Sequence, residues 1–235
     1  MATKKTKPVP SVEPFTGFPK LGISWFQSLA VAQNREWFQA HKAGYEQLWL
    51  APMTSLLAEL RAPLEKIYGR KLGPTKIFRL NRDVRFSKDK SPYKTNVAGM
   101  IPFDGFKPME GPAALYLHLG LQEVVAFGFY MLETPSLQRL RKQLLDEKVG
   151  PALAKLIATA GKTGLVPDSM ERLKRPPPGV SPDHPRVELL KNKALALSRE
   201  DIPRSVRFSA GLKGWVLEQA KAAAPVVKWG LAQKL

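Results

Sequence analysis

The feature that most restricts the fold is a series of short strand-like runs between residues 76 and 130, with gaps too short to carry a crossover helix. In the first run Phe78, Leu80, Val84 and Phe86 share one parity, and Arg79, Asn81, Asp83 and Arg85 share the other. A period of two marks a strand with one face in the core. Its other face then displays polar groups about 7 Å apart, twice the rise per residue. Lys88, Asp89, Lys90, Ser91 and Pro92 have the chemistry of a turn. The returning segment brings back Tyr93, Lys94 and Asn96, and residues 97–101 continue it as strand. Further on, Leu115, Leu117 and Leu119 face one way and Tyr116 and His118 the other. Residues 124–130 are apolar enough to lie centrally in a sheet. Strands spaced this closely pair antiparallel rather than as βαβ units.

Helical periodicity flanks the sheet on both sides. Residues 22–33 place Trp25, Phe26 and Leu29 on one face, and Asn34 is suited to cap a second helix carrying Trp37, Phe38, Tyr45, Leu48 and Trp49. Pro52 fits the first turn of a third helix, or a kink in a continuing one, with Leu56, Leu57, Leu60, Leu64 and Ile67 as its stripe. Gly69, Gly73 and Pro74 end it. After the strands, residues 134–148 read as a helix with Leu137, Leu140, Leu144 and Leu145 inward. Gly150 and Pro151 break it before a helix over 152–160. Residues 175–185 hold five prolines and must be irregular. Residues 187–197 are expected to be helical, and 211–235 a helix interrupted near Pro225. The pattern predicts an α+β fold in one domain: an antiparallel sheet packed by the N-terminal helices and a helix after the last strand. Residues 1–14, with three Lys and three Pro, are expected to form a disordered basic tail preceding a domain over 15–235.

Composition narrows the function classes. There is no cysteine, which excludes disulfides, thiol catalysis and cysteine-bound zinc. No apolar run reaches the length of a membrane span and no apolar segment follows the basic N-terminus, so no membrane partner is expected and a cytoplasmic location is. The net charge of +17 is uneven: residues 61–100 hold eleven basic against three acidic groups, and 161–235 hold fourteen against seven. Clustered basicity points to phosphate, nucleic acid or another anionic surface.

The hairpin gathers the candidate binding groups: Arg79, Asn81, Asp83, Arg85, Lys88, Asp89, Lys90, Tyr93, Lys94 and Asn96. Arg forks suit bidentate oxyanion recognition, and Lys supplies a point charge. Asp83 sits among arginines, where an ion-pair strut is the simplest role. Tyr116, His118 and Asp83 are the candidates for proton transfer, provided that the strand carrying His118 lies beside the hairpin. The three histidines lack metal-ligand spacing, so no metal is expected. Neither a dinucleotide fingerprint nor a P-loop occurs, and no cofactor is expected. Aromatics at helical spacing, Trp25 to Trp49, belong to the core rather than to a base-stacking platform.

The run R-L-N-R-D-V-R-F-S-K-D-K-S-P-Y-K-T-N from Arg79 resembles the signature of an uncharacterised, mainly bacterial family, domain-of-unknown-function family 2461. N-R-E-W-F-Q-A-H-K-A-G-Y from Asn34 and R-L-K-R-P-P-P-G-V-S-P-D-H-P from Arg172 resemble further blocks of it. Val180 stands where an aromatic is expected, and Phe127-Gly128-Phe129 has fewer glycines than the pattern. The resemblance implies a shared fold across nearly the whole chain and carries no activity. Three functions remain open: a module binding an anionic, phosphate-bearing ligand, with nucleic acid among the candidates; an enzyme on a phosphorylated or carboxylated small molecule; and a structural or protein-interaction domain whose hairpin is an ion-pair network.

Overall fold

The computed structural model describes residues 13–85, 89–106, 111–168 and 172–235. The N-terminal helices follow the sequence pattern closely. Helix α1 spans Leu21–Ala32 and ends at Gln33, whose φ of 39° is left-handed. Asn34 caps α2 (Arg35–Tyr45), its side chain accepting from the Trp37 amide at 2.8 Å. A π-helical turn, Glu46–Leu50, joins α2 to α3 (Ala51–Tyr68), so Pro52 lies in a continuing helix that Gly69 ends with φ 67°. Gly22 lets α1 approach Trp49: a Cβ there would lie 2.7 Å from the indole, whose Nε1 donates to the Gly22 carbonyl at 3.0 Å.

Six strands form one antiparallel sheet: β1 (Lys76–Ile77), β2 (Asn96–Pro102), β3 (Ala113–Gly120), β4 (Val124–Phe129), β5 (Val166–Pro167) and β6 (Leu195–Arg199). Their spatial order is β1-β2-β3-β4-β6-β5. Val97, Ile101, Leu115, Leu117 and Leu119 are buried in the core shared with the helices, and α3 lies on β2. Helix α4 (Thr134–Leu145) adds Leu140 and Leu144 to that core and packs on α5 (Val149–Gly161). The short helices α6 (Val187–Leu190) and α7 (Arg204–Arg207) lead to α8 (Gly211–Ala232), which packs on β4, β6 and α3.

Several expectations are corrected. The strand predicted over 76–86 is only two residues long, followed by an isolated bridge between Asn81 and Tyr93. Register explains the difference. Lys76 pairs with Met100 and Ile77 with Gly99, whereas the Asn81–Tyr93 bridge is offset by two residues, so the ladder bulges between them. Phe78 therefore turns to the face opposite the helices, Leu80 enters the core, and Val84 is 38% exposed. Phe86 and Lys88 lie outside the described residues, as do residues 1–12 of the expected tail.

The helix predicted over 187–197 shrinks to α6, and Leu195–Arg199 becomes β6 instead, pairing with β4 along its length. β3 pairs with one edge of β4 and β6 with the other, and the five ladder pairs of β6 outweigh the helix preference of Ala and Leu. Pro151 lies inside the first turns of α5 rather than before it. Pro225 sits within an unbroken α8, where burial of Ala223, Val226 and Val227 offsets a cost of about 3 kcal/mol for the proline.

The candidate anion site on the hairpin and the open sheet face

The hairpin is held to the helices by Gln33. Its side-chain amide accepts from the Tyr93 amide at 3.1 Å and donates to the Tyr93 carbonyl at 3.2 Å, as a neighbouring strand would. The Tyr93 ring stacks on Phe38, centroids 4.7 Å apart, and is 4% exposed. Tyr93 therefore belongs to the core and not to the polar patch in which its place on the returning segment put it.

The remaining predicted residues divide into two groups. Four are tied into the hairpin at its outer end, Asp83 to Arg85 and Asp89 and Lys90 to their neighbours. Arg85 donates to both Asp83 oxygens, from Nε at 3.0 Å and from Nη2 at 2.8 Å, and its guanidinium holds the Asp83 carboxyl down at about 2. Asp89 accepts from the Ser91 amide at 2.9 Å and pairs with Arg82 at 2.9 Å; these contacts lower its pKa. Lys90 donates to the Val84 carbonyl at 2.8 Å.

The second group is Arg79, Asn81 and Lys94, which line an open depression with Lys76, Phe78, Leu80, Asp83 and Tyr45. The side chains of Arg79 and Lys94 have no hydrogen-bond or ion-pair partner among the described residues. Lys94 is half-buried, with Nζ 6.0 Å from the centre of the Phe78 ring. Burial first, and then the charges of Arg82 and Arg79, lower its pKa. Asn96 is also half-buried and opens β2 opposite Gly120.

Because β3 pairs with β2, Tyr116 and His118 lie on the face that Phe78 joins: Ala98 is opposite His118 and Met100 opposite Tyr116. The Phe78 and Tyr116 rings are 6.2 Å apart. The Tyr116 hydroxyl and His118 Nδ1 are 3.2 Å apart, and His118 Nε2 is buried without a hydrogen-bond partner. Burial, reinforced by Lys94, lowers the His118 pKa to about 4, so its ring is neutral at pH 7. Burial likewise raises the Tyr116 phenol to about 12. Asp83 lies on the depression and not beside the His118–Tyr116 pair that lines the neighbouring cavity.

A pocket beside His118 is compatible with the sequence, but the small-residue floor of this cavity is not legible there. Its volume is about 140 Å³, and its lining includes Ala113, Ala126, Gly128 and Ala196 together with Tyr116, His118, Tyr130 and Asp168. The only hint in the sequence is that small residues alternate with large ones along the strands. Leu115, Leu117, Val125 and Phe127 are buried among the core residues, while Ala98, Ala126, Gly128 and Ala196 share the other face.

Among the described residues, a six-stranded antiparallel sheet with helices packed on it and a cavity on its other face defines an α+β protein with a cationic edge beside an apolar cavity. The chain belongs to the family of conserved hypothetical proteins DUF2461, whose model matches residues 22–229. No curated protein and no solved structure matches it. Among the described residues, no helix is long and apolar enough to cross a membrane.

Proposed function

We propose that the chain is a binding module for a small anionic molecule, a phosphate or carboxylate, taken up at the hairpin by Lys94 and Arg79. The observation that carries this reading is the half-buried ammonium of Lys94, which has two like charges near it and no carboxylate partner among the described residues. Burying a cation beside other cations is unfavourable, and an anion is the group that would balance it. Arg79 supplies a fork for two oxygens of that anion, and Asn81 lines the same depression. A concave site favours a small ligand over a polymer backbone, which a convex cationic ridge would suit better.

Calorimetric titration with inorganic phosphate and with acetate tests the reading, alongside fluorescence-anisotropy titration of labelled DNA and RNA at several salt concentrations. Saturable binding of one small anion is expected, weakened about tenfold or more in Arg79→Ala/Lys94→Met, the effect of losing a charge-assisted hydrogen bond. Circular dichroism should show the variant folded. Nucleic-acid binding with a steep salt slope, lost in the same variant, would move the reading to a nucleic-acid module. Absence of binding to any of these probes at low salt would remove it.

A further inference from the structure

The cavity on the open sheet face and the cationic depression share a boundary. Phe78 lines the depression and its ring packs toward Tyr116, which lines the cavity. Lys94 lines the depression and its charge is felt by His118, which lines the cavity. An anion held at Lys94 would therefore have the rest of its structure beside the cavity.

The cavity has the attributes of a site for a flat apolar group. Its floor comes from three neighbouring strands through Ala113, Ala126, Gly128 and Ala196, which project almost nothing above the sheet. A sheet face built only for packing would carry β-branched or aromatic residues at such positions. Gly128 has a φ of +108°, and a Cβ there would lie 2.5 Å from the Leu195 carbonyl oxygen, so the backbone itself keeps this position bare. Tyr116 and Tyr130 contribute rings to the lining. The volume of about 140 Å³ is close to the ~150 Å³ apolar cavity that admits a benzene ring.

Two polar features orient such a guest. His118 Nε2 is buried without a partner, and leaving a buried polar nitrogen unpaired is costly. If the Tyr116 hydroxyl donates to Nδ1, the neutral ring presents Nε2–H as a donor, which suits an oxygen of the guest. Asp168 lines the cavity from the β5 side, opposite Ala196, whereas Lys94 lies at the β2 side. The strand order separates these two ends by four strand positions, and the positive charges at the Lys94 end draw an anionic head there.

We propose that the open sheet face receives the planar apolar body of the same anion, so that the ligand is an aromatic or similarly flat phosphate or carboxylate. Its body lies on the Ala126–Gly128–Ala196 floor, its polar edge meets His118 Nε2 and its charge lies at Lys94 and Arg79. This proposal rests on the anion-binding reading above.

The test is calorimetry with matched probes, phenyl phosphate against inorganic phosphate and benzoate against acetate, on wild type, Ala126→Leu, Ala196→Val and Lys94→Met. In at least one pair the aromatic probe should bind about tenfold tighter than its small partner, since a buried ring is worth a few kcal/mol before ordering costs. Ala126→Leu should abolish that advantage and leave the small anion unaffected; Ala196→Val provides the same readout should the first variant not fold. Lys94→Met should weaken both members of the pair. An aromatic advantage that is absent in wild type, or that survives filling the floor, overturns the cavity proposal while small-anion binding leaves the first reading intact. Failure of every probe, or indifference to Lys94→Met, overturns the anion reading and the cavity proposal with it.

Discussion

Residues 161–235 and the hairpin within 61–100 are both basic, yet their cations have different surroundings. In the C-terminal third several arginines, among them Arg186, Arg199 and Arg207, bind parts of the fold. Arg186 donates from Nε to the Leu144 carbonyl at the end of α4 at 2.6 Å. Arg199 pairs with Asp201 at 2.7 Å and lies 5.4 Å from the Trp215 ring. Arg207 pairs with Glu123 at 2.8 Å and donates to the Gly120 carbonyl. Arg61 follows the same habit upstream of the hairpin, donating to the Gly73 carbonyl at 2.7 Å. Arg79 and Lys94, by contrast, face a depression without hydrogen-bond or ion-pair partners among the described residues. An excess of positive charge is therefore a poor guide to a site; cations that the fold leaves uncompensated are a better one.

The comparison predicts its largest stability effect in the C-terminal third. Arg207 and Glu123 have side chains only 16% exposed, and burial already raises the Glu123 pKa despite the pairing. Arg207→Ala leaves that carboxyl buried with the Ile202 amide as its hydrogen-bond donor but no ion-pair partner, which should cost about 3 kcal/mol in urea unfolding. Anion titration of the folded variant should be unchanged. A variant as stable as wild type would break the distinction between structural and available cations.

His118 provides the next effect and reports on the hairpin side. Its pKa is about 4 in the fold against 6.5 for an unperturbed ring, so the fold favours the neutral form. The unfolded chain then binds more protons between these values, and stability rises with pH across that window. The contribution is complete above about pH 6.5 and is lost as pH falls toward 4, by at most about 3 kcal/mol. Unfolding midpoints measured from pH 7 to 4 should decline in wild type and flatten in His118→Asn. Equal slopes in the two proteins would show that the ring is not buried beside Lys94.

How much of this was legible follows from the range over which each signal acts. The Asn34 cap, the leucine stripe of α3 and the alternation of β3 are local patterns, and the structure reproduces them. β6 was misread because L-A-L-S-R has helix-forming residues, and only the presence of β4 beside it makes it a strand. The candidate cations could be found by their density, but not sorted. Whether an arginine meets a carboxylate two residues away, as Arg85 does, or none, as for Arg79, depends on a register shift that periodicity cannot express. The Gln33 clamp spans 60 residues and has no local signature. The cavity needed the strand order, because its alanines are unremarkable until β2, β3, β4 and β6 lie side by side.

A smaller effect distinguishes Lys94 from the arginines of the C-terminal third. Its ammonium gains only a distant ring face, that of Phe78 at 6.0 Å, and loses hydration, so Lys94→Met should leave the unfolding midpoint nearly unchanged or raise it. The same substitution should lower small-anion affinity about tenfold. Destabilisation comparable to Arg207→Ala would place Lys94 with the structural cations.

The smallest effect should be found within the hairpin itself. Asp83 and Arg85 form a short ion pair, but their side chains are 42% and 74% exposed, and water and salt screen such pairs. The Asp83 carboxyl titrates at about 2 in the fold, below its unperturbed 3.8, so any stabilisation is present above about pH 3.8 and disappears as pH falls toward 2. At neutral pH, Asp83→Asn should give no resolvable change in thermal midpoint. Its effect should appear in binding instead, because Asp83 lines the depression with Arg79 and is the carboxylate whose charge opposes an incoming anion there. Removing that charge should tighten phosphate or acetate binding modestly, more at low salt than at high. A loss of affinity in Asp83→Asn would instead mean that the carboxylate positions Arg79. The contrast between bound and available cations would then run through the hairpin rather than between the two basic regions.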